Sequence, residues 1–469
     1  MENAVVFSFK SRLKSAQVAL DGFPWKLAAI LYTLSWGWSL LRPNTLYWDD
    51  WQFSPKELWS SGRTVGLAPW MRMFDMALLQ LGNWPIRLFT FLFFLGTAFF
   101  LYQVLRIDIE FICPTSKNLI TLLFLVIPAN HARISIVIFG YTTSYFLFFL
   151  GWFVLIRYRS TKSFSLACMI LFLSFMTHSF LFFLALPLMH FGWIHRSRLR
   201  DLKNFNSFHV RITSVALLPA FYILARFLFW SATDNSSYQR VYSDGALKSG
   251  SLFAPFICCL LITYFWFQLS RRVPNELTII LVGTFALAIS LFPYLITNNI
   301  DRNIFSFNIG WQSRHLMLTP LGISFVVVGI SQLVSKKKHY IAKLALTLSV
   351  IVNIFVGSQY YLQSAQQTEI INLFKAQKIS GVISEFSDET ARFKGRGAKY
   401  SEYEFFGMLN EAGYSYPKRV NYKYVCKANP DGAKLTVKSD KSFLDALLSR
   451  NTSTYFEITT CAEVLSQQG

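Results

Sequence analysis

The amino-acid sequence predicts an all-α polytopic membrane protein of about eleven transmembrane helices, followed by a small C-terminal α+β soluble domain. Three observations predict it. The 469 residues are 53% hydrophobic and 17% aromatic against 15% charged, and Phe alone supplies 47 of them. Runs such as Leu88 to Leu105 and Ile212 to Trp230 reach the roughly 20 apolar residues that a bilayer core requires. Basic residues gather in short clusters between such runs: Lys10/Arg12/Lys14, Arg157/Arg159/Lys162, Arg196/Arg198/Arg200/Lys203, Arg271/Arg272 and Lys336/Lys337/Lys338. Their recurrence at every second gap is the positive-inside pattern. The formal net charge of +20 therefore reads as orientation and contact with anionic headgroups, not as nucleic-acid binding.

With those clusters placed in the cytoplasm, the topology follows span by span. The first apolar run, Phe23–Leu41, has no A-x-A-like cleavage site and reads as an uncleaved anchor with a cytoplasmic N-terminus. It exits into a loop, residues 42–84, where Pro55, Gly62, Gly66 and Pro69 interrupt apolar and aromatic residues. That pattern predicts one or two helices lying along the interface. The second span, Pro85–Leu105, returns inside. Leu119–Ala129 is too short to cross a core of about 30 Å, and it leads through Asn130-His131-Ala132-Arg133 into the run Ile134–Ile156. The run Phe164–Trp193 is broken by Thr177-His178-Ser179 and flanked on both sides by basic clusters. An even number of crossings is needed there, and two short helices meeting at a polar tip supply it. Such tips line a sunken, water-filled cavity. The later spans are Ile212–Trp230, Ser251–Leu269, Leu277–Ile296, Leu318–Val334 and Leu344–Leu362, which leaves the C-terminus outside. No internal repeat suggests the inverted halves of a transporter.

Residues 1–362 are thus read as the transmembrane domain. Beyond them the composition turns mixed, and residues 363–469 are expected to form a soluble outer domain of about 105 residues. Helical pattern falls on Ala365–Phe386 and Ser442–Arg450, and strand-like pieces on Arg419–Cys426 and Ser453–Thr460. Cys113, Cys168, Cys258 and Cys259 lie in or near spans. Cys426 and Cys461 belong to the outer domain, where they pair if the compartment is oxidising or stay as two buried thiols.

Chemistry is expected at Leu46-Tyr47-Trp48-Asp49-Asp50-Trp51, just past the first span. Acidic residues are scarce, 25 against 45 Lys plus Arg, so an adjacent pair at a membrane exit is notable. Neighbouring carboxylates repel, and one keeps a raised pKa while the other stays ionised. That suits Asp49 and Asp50 to general-base work; the alternative is capping, with Asp50 or Ser54 at the start of an interfacial helix.

A first span followed by an outward loop with an aromatic-flanked Asp49-Asp50 and a Gly62-Arg63 step resembles membrane glycosyltransferases of the GT-C class. In particular it is similar to bacterial polytopic enzymes that decorate lipopolysaccharide O-antigen, the serotype-converting glucosyltransferases among them. The resemblance covers the N-terminal two-thirds in architecture. It implies a GT-C-like fold and a polyprenyl-phosphate-sugar donor. It also implies inverting transfer of a hexose, glucose in the converting enzymes, to a lipid-linked or lipopolysaccharide glycan. The reaction would lie on the periplasmic face of a bacterial inner membrane, with Asp49 or Asp50 as catalytic base and Arg63 near the substrate. Many members carry a second acidic residue in the next outer loop, where this chain has Asn130-His131-Ala132-Arg133. Neither a metal nor another cofactor is therefore expected.

A lipid-phosphate donor needs cations at the outer boundary. Arg314 and His315, in Trp311-Gln312-Ser313-Arg314-His315-Leu316, and Arg226, four residues before Trp230, are placed for it. Guanidinium groups bind phosphate oxygens bidentately; the alternatives are an interface anchor for Arg314 and outward snorkelling for Arg226. His131, Arg133 and His178 occupy the two sunken turns, where they either touch sugar or phosphate or simply make the turns polar. Trp48 and Trp51 offer rings for a sugar to stack on, or for an interfacial belt. Zinc-ligand spacing, a phosphate-cradling Gly-rich loop and a Gly-x-Ser-x-Gly elbow are all missing. A lipid or oligosaccharide transporter would instead carry charges near mid-bilayer, whereas the polar features here gather on the outer side. An O-antigen polymerase or ligase is the other alternative, usually with a large outer loop late in the span order.

Overall fold

The computed structural model describes residues 22–52, 68–107, 109–158, 160–195, 207–230, 274–296, 311–335, 339–376, 386–387, 402–413, 433–437 and 456–460. The apolar runs fold as helices, which is what lipid demands of a backbone that must pair its own N–H and C=O groups. They are α1 (Trp25–Trp36), the short α2 (Trp38–Leu41), α3 (Pro69–Leu79), α4 (Trp84–Arg106), α5 (Pro114–Val126), α6 (Phe139–Arg157) and α7 (Thr161–Ser174). Next come α8 (Ser179–Phe183), α9 (Ala185–Ile194), α10 (Ser207–Phe229), α11 (Asn275–Ile296), α12 (Thr319–Val334) and α13 (Tyr340–Ala376).

Among the described residues five helices are long and apolar enough to cross a membrane: α4, α6 with the turn before it, α10, α11 and α13. Large apolar side chains also point away from the protein, Phe227 being 74% and Phe229 77% exposed on α10. A bilayer is the solvent that tolerates such a surface, so the chain is a helical membrane-embedded protein. Small residues let the helices close up. A Cβ added at Gly322 of α12 would sit 2.5 Å from Leu287 Cγ of α11, which leaves glycine as the residue that fits this crossing.

Several expected elements are cut differently. The run Phe23–Leu41 breaks at Gly37, which separates Trp36 from Trp38 and lets the two rings meet different partners. The run Ile134–Ile156 begins as two 3₁₀ turns, His131–Ile134 and Ile136–Ile138, before α6 starts. α7 and α8 are separated at Phe175–His178, within the run Phe164–Trp193. Of the loop 42–84, α3 is the described helix. The expected span Ser251–Leu269 lies outside the described residues.

The expected boundary at residue 362 is not a break, because α13 runs straight through it to Ala376. At about 1.5 Å per residue its 37 residues reach about 55 Å, well beyond a core of about 30 Å. Its far end supports the loop after α2: Ser364 Oγ is 2.6 Å from Thr45 Oγ1, and Gln367 Nε2 donates to Leu46 O at 3.1 Å. Further on, strands β1 (Phe386–Ser387), β2 (Ala433–Val437) and β3 (Phe456–Thr460) form a sheet in that order. β1 runs parallel to β2, and β2 antiparallel to β3 with Ala433 opposite Thr460. Helix α14 (Glu402–Glu411) lies against the turn Trp48–Gln52. The expected pieces Arg419–Cys426 and Ser442–Arg450, and with them Cys426 and Cys461, lie outside the described residues.

Candidate functional site

The Asp49-Asp50 pair sits in a 3₁₀ turn, Trp48–Gln52, held from three directions. Asp50 is 4% exposed. Its Oδ2 accepts from Tyr47 N at 3.1 Å and faces Arg87 Nη2, near the start of α4, at 3.6 Å. Its Oδ1 accepts from Ser135 Oγ at 2.5 Å and Val137 N at 3.1 Å, both from the turns ahead of α6. Arg87 Nη2 also donates to Thr45 O at 2.7 Å. Burial pushes the Asp50 carboxyl up, while Arg87 and the Ser135 hydroxyl pull it back. Asp50 therefore joins three segments, with three hydrogen bonds and an ion pair on its two oxygens. The alternative, a cap by Asp50 or Ser54 on an interfacial helix, concerns residues 53–67, which lie outside the described residues. The side chain of Asp49, on the same turn, lies outside the described ones.

The turn itself carries a strained residue. Trp48 has φ +49°, a left-handed conformation that costs an L-residue about 1–2 kcal/mol. It is kept there by packing and pairing: the ring meets Tyr360 of α13 edge-on at 5.7 Å, and the backbone N–H donates to Glu404 Oε1 of α14 at 3.1 Å. Trp51 lies so close to α14 that a Cβ at Gly407 would come within 2.3 Å of its ring. The Trp48 ring is thus spent on protein packing, while Trp51 is half-buried. Trp48, buried at 8%, faces inward and offers no sugar platform, contrary to the sequence expectation.

Arg133 is the opposite case. It is 3% exposed in the turn His131–Ile134, its guanidinium carbon 3.5 Å from the Trp36 ring centre, 4.1 Å from Phe94 and 5.6 Å from Tyr32. Its Nε and Nη2 are buried without a hydrogen-bond partner, and no carboxylate pairs with it among the described residues. Burial draws its pKa down to about 10, so it stays charged at neutral pH. The energetics do not balance. Desolvating such a cation costs several kcal/mol and each orphaned N–H about 1–3 kcal/mol, while ring contacts return about 2 kcal/mol. Arg133 and Arg87 line one narrow pocket together with Tyr32, Trp36, Ser39 and Phe91. His131 stacks on the other ring system of this group, 5.6 Å from Trp36, and burial with the Arg133 charge lowers its pKa to about 3.

The turn Trp311–Leu316 joins the same end of the bundle, because Ser313 Oγ accepts from Ala132 N at 2.8 Å. That brings Arg314 and His315 to the Arg133 turn. His315 is buried, and its pKa falls to about 4 through burial and then the Arg314 charge. Arg226 and His178 form a separate group: Arg226 Nη1 lies 2.9 Å from His178 Nε2, so the cation of α10 is tied to the polar break between α7 and α8 rather than snorkelling free. Arg63 lies outside the described residues.

Four residues that matter were not singled out from the sequence. Arg87 is a cation in the first turn of a largely apolar 23-residue helix whose other arginine, Arg106, is its last residue, a signal that was legible. Ser135 and Glu404 carry no sequence signal, being ordinary residues placed by the fold. Asp75 on α3 has Oδ1 buried without a partner, and burial raises its pKa to about 8. Among the described residues no group of three or more His, Cys, Asp or Glu side chains is placed to hold a metal ion. No protein-family model, curated protein or solved structure matches the chain.

Proposed function

We propose that the protein is an inverting membrane glycosyltransferase of GT-C type, moving a hexose, glucose in the first instance, from a polyprenyl-phosphate carrier to a lipopolysaccharide O-antigen or other lipid-linked glycan. The observation that carries this reading is one end of the helical bundle where a braced acidic turn stands beside a buried arginine that has no counter-ion among the described residues. Asp50 is spent on bracing, so the base is Asp49. It takes the proton of the acceptor hydroxyl as that oxygen attacks the anomeric carbon, and the bond from that carbon to the phosphate oxygen breaks. Polyprenyl phosphate leaves with the bonding electrons. The Arg133 and Arg314 turns, joined through Ser313, supply cations for the charge that develops on it. In the same reading eleven spans put the region after residue 362 on the periplasmic side of a bacterial inner membrane, where it closes over the acidic turn.

The test is transfer of radiolabel from polyprenyl-phosphate-glucose to lipopolysaccharide in lipid nanodiscs. Wild type is expected to transfer, and Asp49→Asn to lose transfer while unfolding at the wild-type temperature. Asp49→Asn working at the wild-type rate would remove it as the base. A panel of donor sugars all inert with wild type would leave the transporter reading ahead.

A further inference from the structure

Trp48 carries an unusual side chain for its place in the chain. Asp50 N donates to Tyr47 O at 3.1 Å, which makes Trp48 the first central residue of a tight turn. Its φ of +49° belongs to turn forms that Gly, Asn and Asp ordinarily fill. A bulky residue keeps such a backbone only where its surroundings over-determine it. Two contacts share that task. The edge-on contact with Tyr360 fixes where the ring lies. The bond from Trp48 N to Glu404 Oε1 holds the peptide itself, and its acceptor comes from 356 residues away. Glu404 is 1% exposed, so its carboxylate is withdrawn from water to meet a backbone N–H. The rest of α14 seats it there. Met408 and Leu409 are buried, and Gly407 leaves the Trp51 ring the room that a side chain would take. The helix rests on α13, whose far end buries Ile370 and Phe374 completely. The acidic turn is therefore gripped by a helix that stands on the longest rod of the bundle.

We propose that Glu404 is a positioning residue: by holding the Trp48 peptide left-handed it sets the direction in which the chain enters Asp49, and α14 is the clamp that delivers it. Released from the clamp, Trp48 relaxes to an ordinary backbone and the turn Trp48–Gln52 opens. The role towards Asp49 rests on the proposed transfer reaction; the clamp does not. The test uses the full chain in nanodiscs, with hydrogen exchange read by mass spectrometry beside transfer from polyprenyl-phosphate-glucose. Glu404→Ala should quicken exchange in the turn 47–52 by about tenfold or more, as expected for a lost hydrogen bond to a charged acceptor, while α4 and α6 exchange as in wild type. Glu404→Gln keeps a carbonyl oxygen in the same place and should stay within about twofold of wild type. In the transfer assay Glu404→Ala should lower kcat by about tenfold or more with KM within about twofold, and Glu404→Gln should restore it. If Glu404→Ala does not fold, Gly407→Ala, which keeps the carboxylate but forces α14 away from Trp51, should quicken the same turn. A turn that exchanges as in wild type in the folded variant overturns the clamp, as does quickening that spreads through α4 and α6. An opened turn with unchanged kcat overturns the positioning of Asp49. A wild type inert towards every donor sinks the transferase, and the exchange result alone then upholds or overturns the clamp.

Discussion

Two buried charges a short way apart, Asp50 and Arg133, have been treated in opposite ways. Asp50 is surrounded by a cation and three donors from three segments, and every oxygen is used. Arg133 is equally buried and has aromatic faces around it, with two N–H groups that meet nothing. A saturated buried charge holds a fold together, because removing either partner strands the other. An unsaturated one works against stability and persists where something outside the chain completes it. The difference separates a braced charge from an unsaturated one within one end of a bundle.

The comparison is breakable at several points. The largest effect is expected at Asp50. Asp50→Ala leaves the Arg87 guanidinium buried with no counter-charge and should lower stability by about 3–5 kcal/mol, read by thermal unfolding in detergent. A variant as stable as wild type would deny Asp50 its bracing role. Next is Gly407→Ala, whose added carbon meets the Trp51 ring at 2.3 Å and must push α14 away from the acidic turn. Overpacking of this kind costs about 1–3 kcal/mol, and hydrogen exchange should quicken across 402–411 and in the turn 48–52 together. Exchange confined to α14 would show that the turn does not depend on it.

Arg133→Met should raise stability by about 1 kcal/mol or more, since the relieved desolvation and the two orphaned N–H groups outweigh the lost ring contacts. A loss as large as that at Asp50 would mean that Arg133 braces too. A pH-dependent effect is expected at Asp75, whose Oδ1 is buried without a hydrogen-bond partner. Its carboxyl is raised to about 8, whereas an unfolded Asp titrates near 4. The folded chain therefore holds a proton that the unfolded chain releases, and stability from this group falls as pH rises from about 4 to about 8. Asp75→Asn should flatten that slope, raising the melting temperature at pH 8 and leaving it unchanged at pH 4.

Much of the scaffold was legible. Pro85–Leu105 was expected as a span and α4 covers Trp84–Arg106; Ile212–Trp230 and Leu277–Ile296 correspond as closely to α10 and α11. These read well because a run of about 20 apolar residues is a local sum, insensitive to what packs beside it. The ends of runs were less legible. Gly37 and the 3₁₀ turns before α6 interrupt apolar sequence that periodicity joins, since Trp36 stacks on His131, Trp38 on Tyr360, and Ser135 bonds Asp50. Composition marks the Asp pair as unusual, but it does not say that Asp50 is enclosed. Arg133 was noted only as turn polarity or a ligand contact, and its missing counter-ion is a fact of space.

By itself, then, the sequence determined that this is a helical membrane protein, where its main spans run and that its charges gather in the loops, because the transfer of apolar side chains into lipid adds up residue by residue. Only the tertiary structure decided the meaning of those charges. Asp50 meets Ser135 across 85 residues and Trp48 meets Glu404 across 356, and nothing local links either pair. Whether a buried charge is a brace or a receptor depends on which turns converge around it, and convergence is set by helix packing rather than by the residues beside it in the chain.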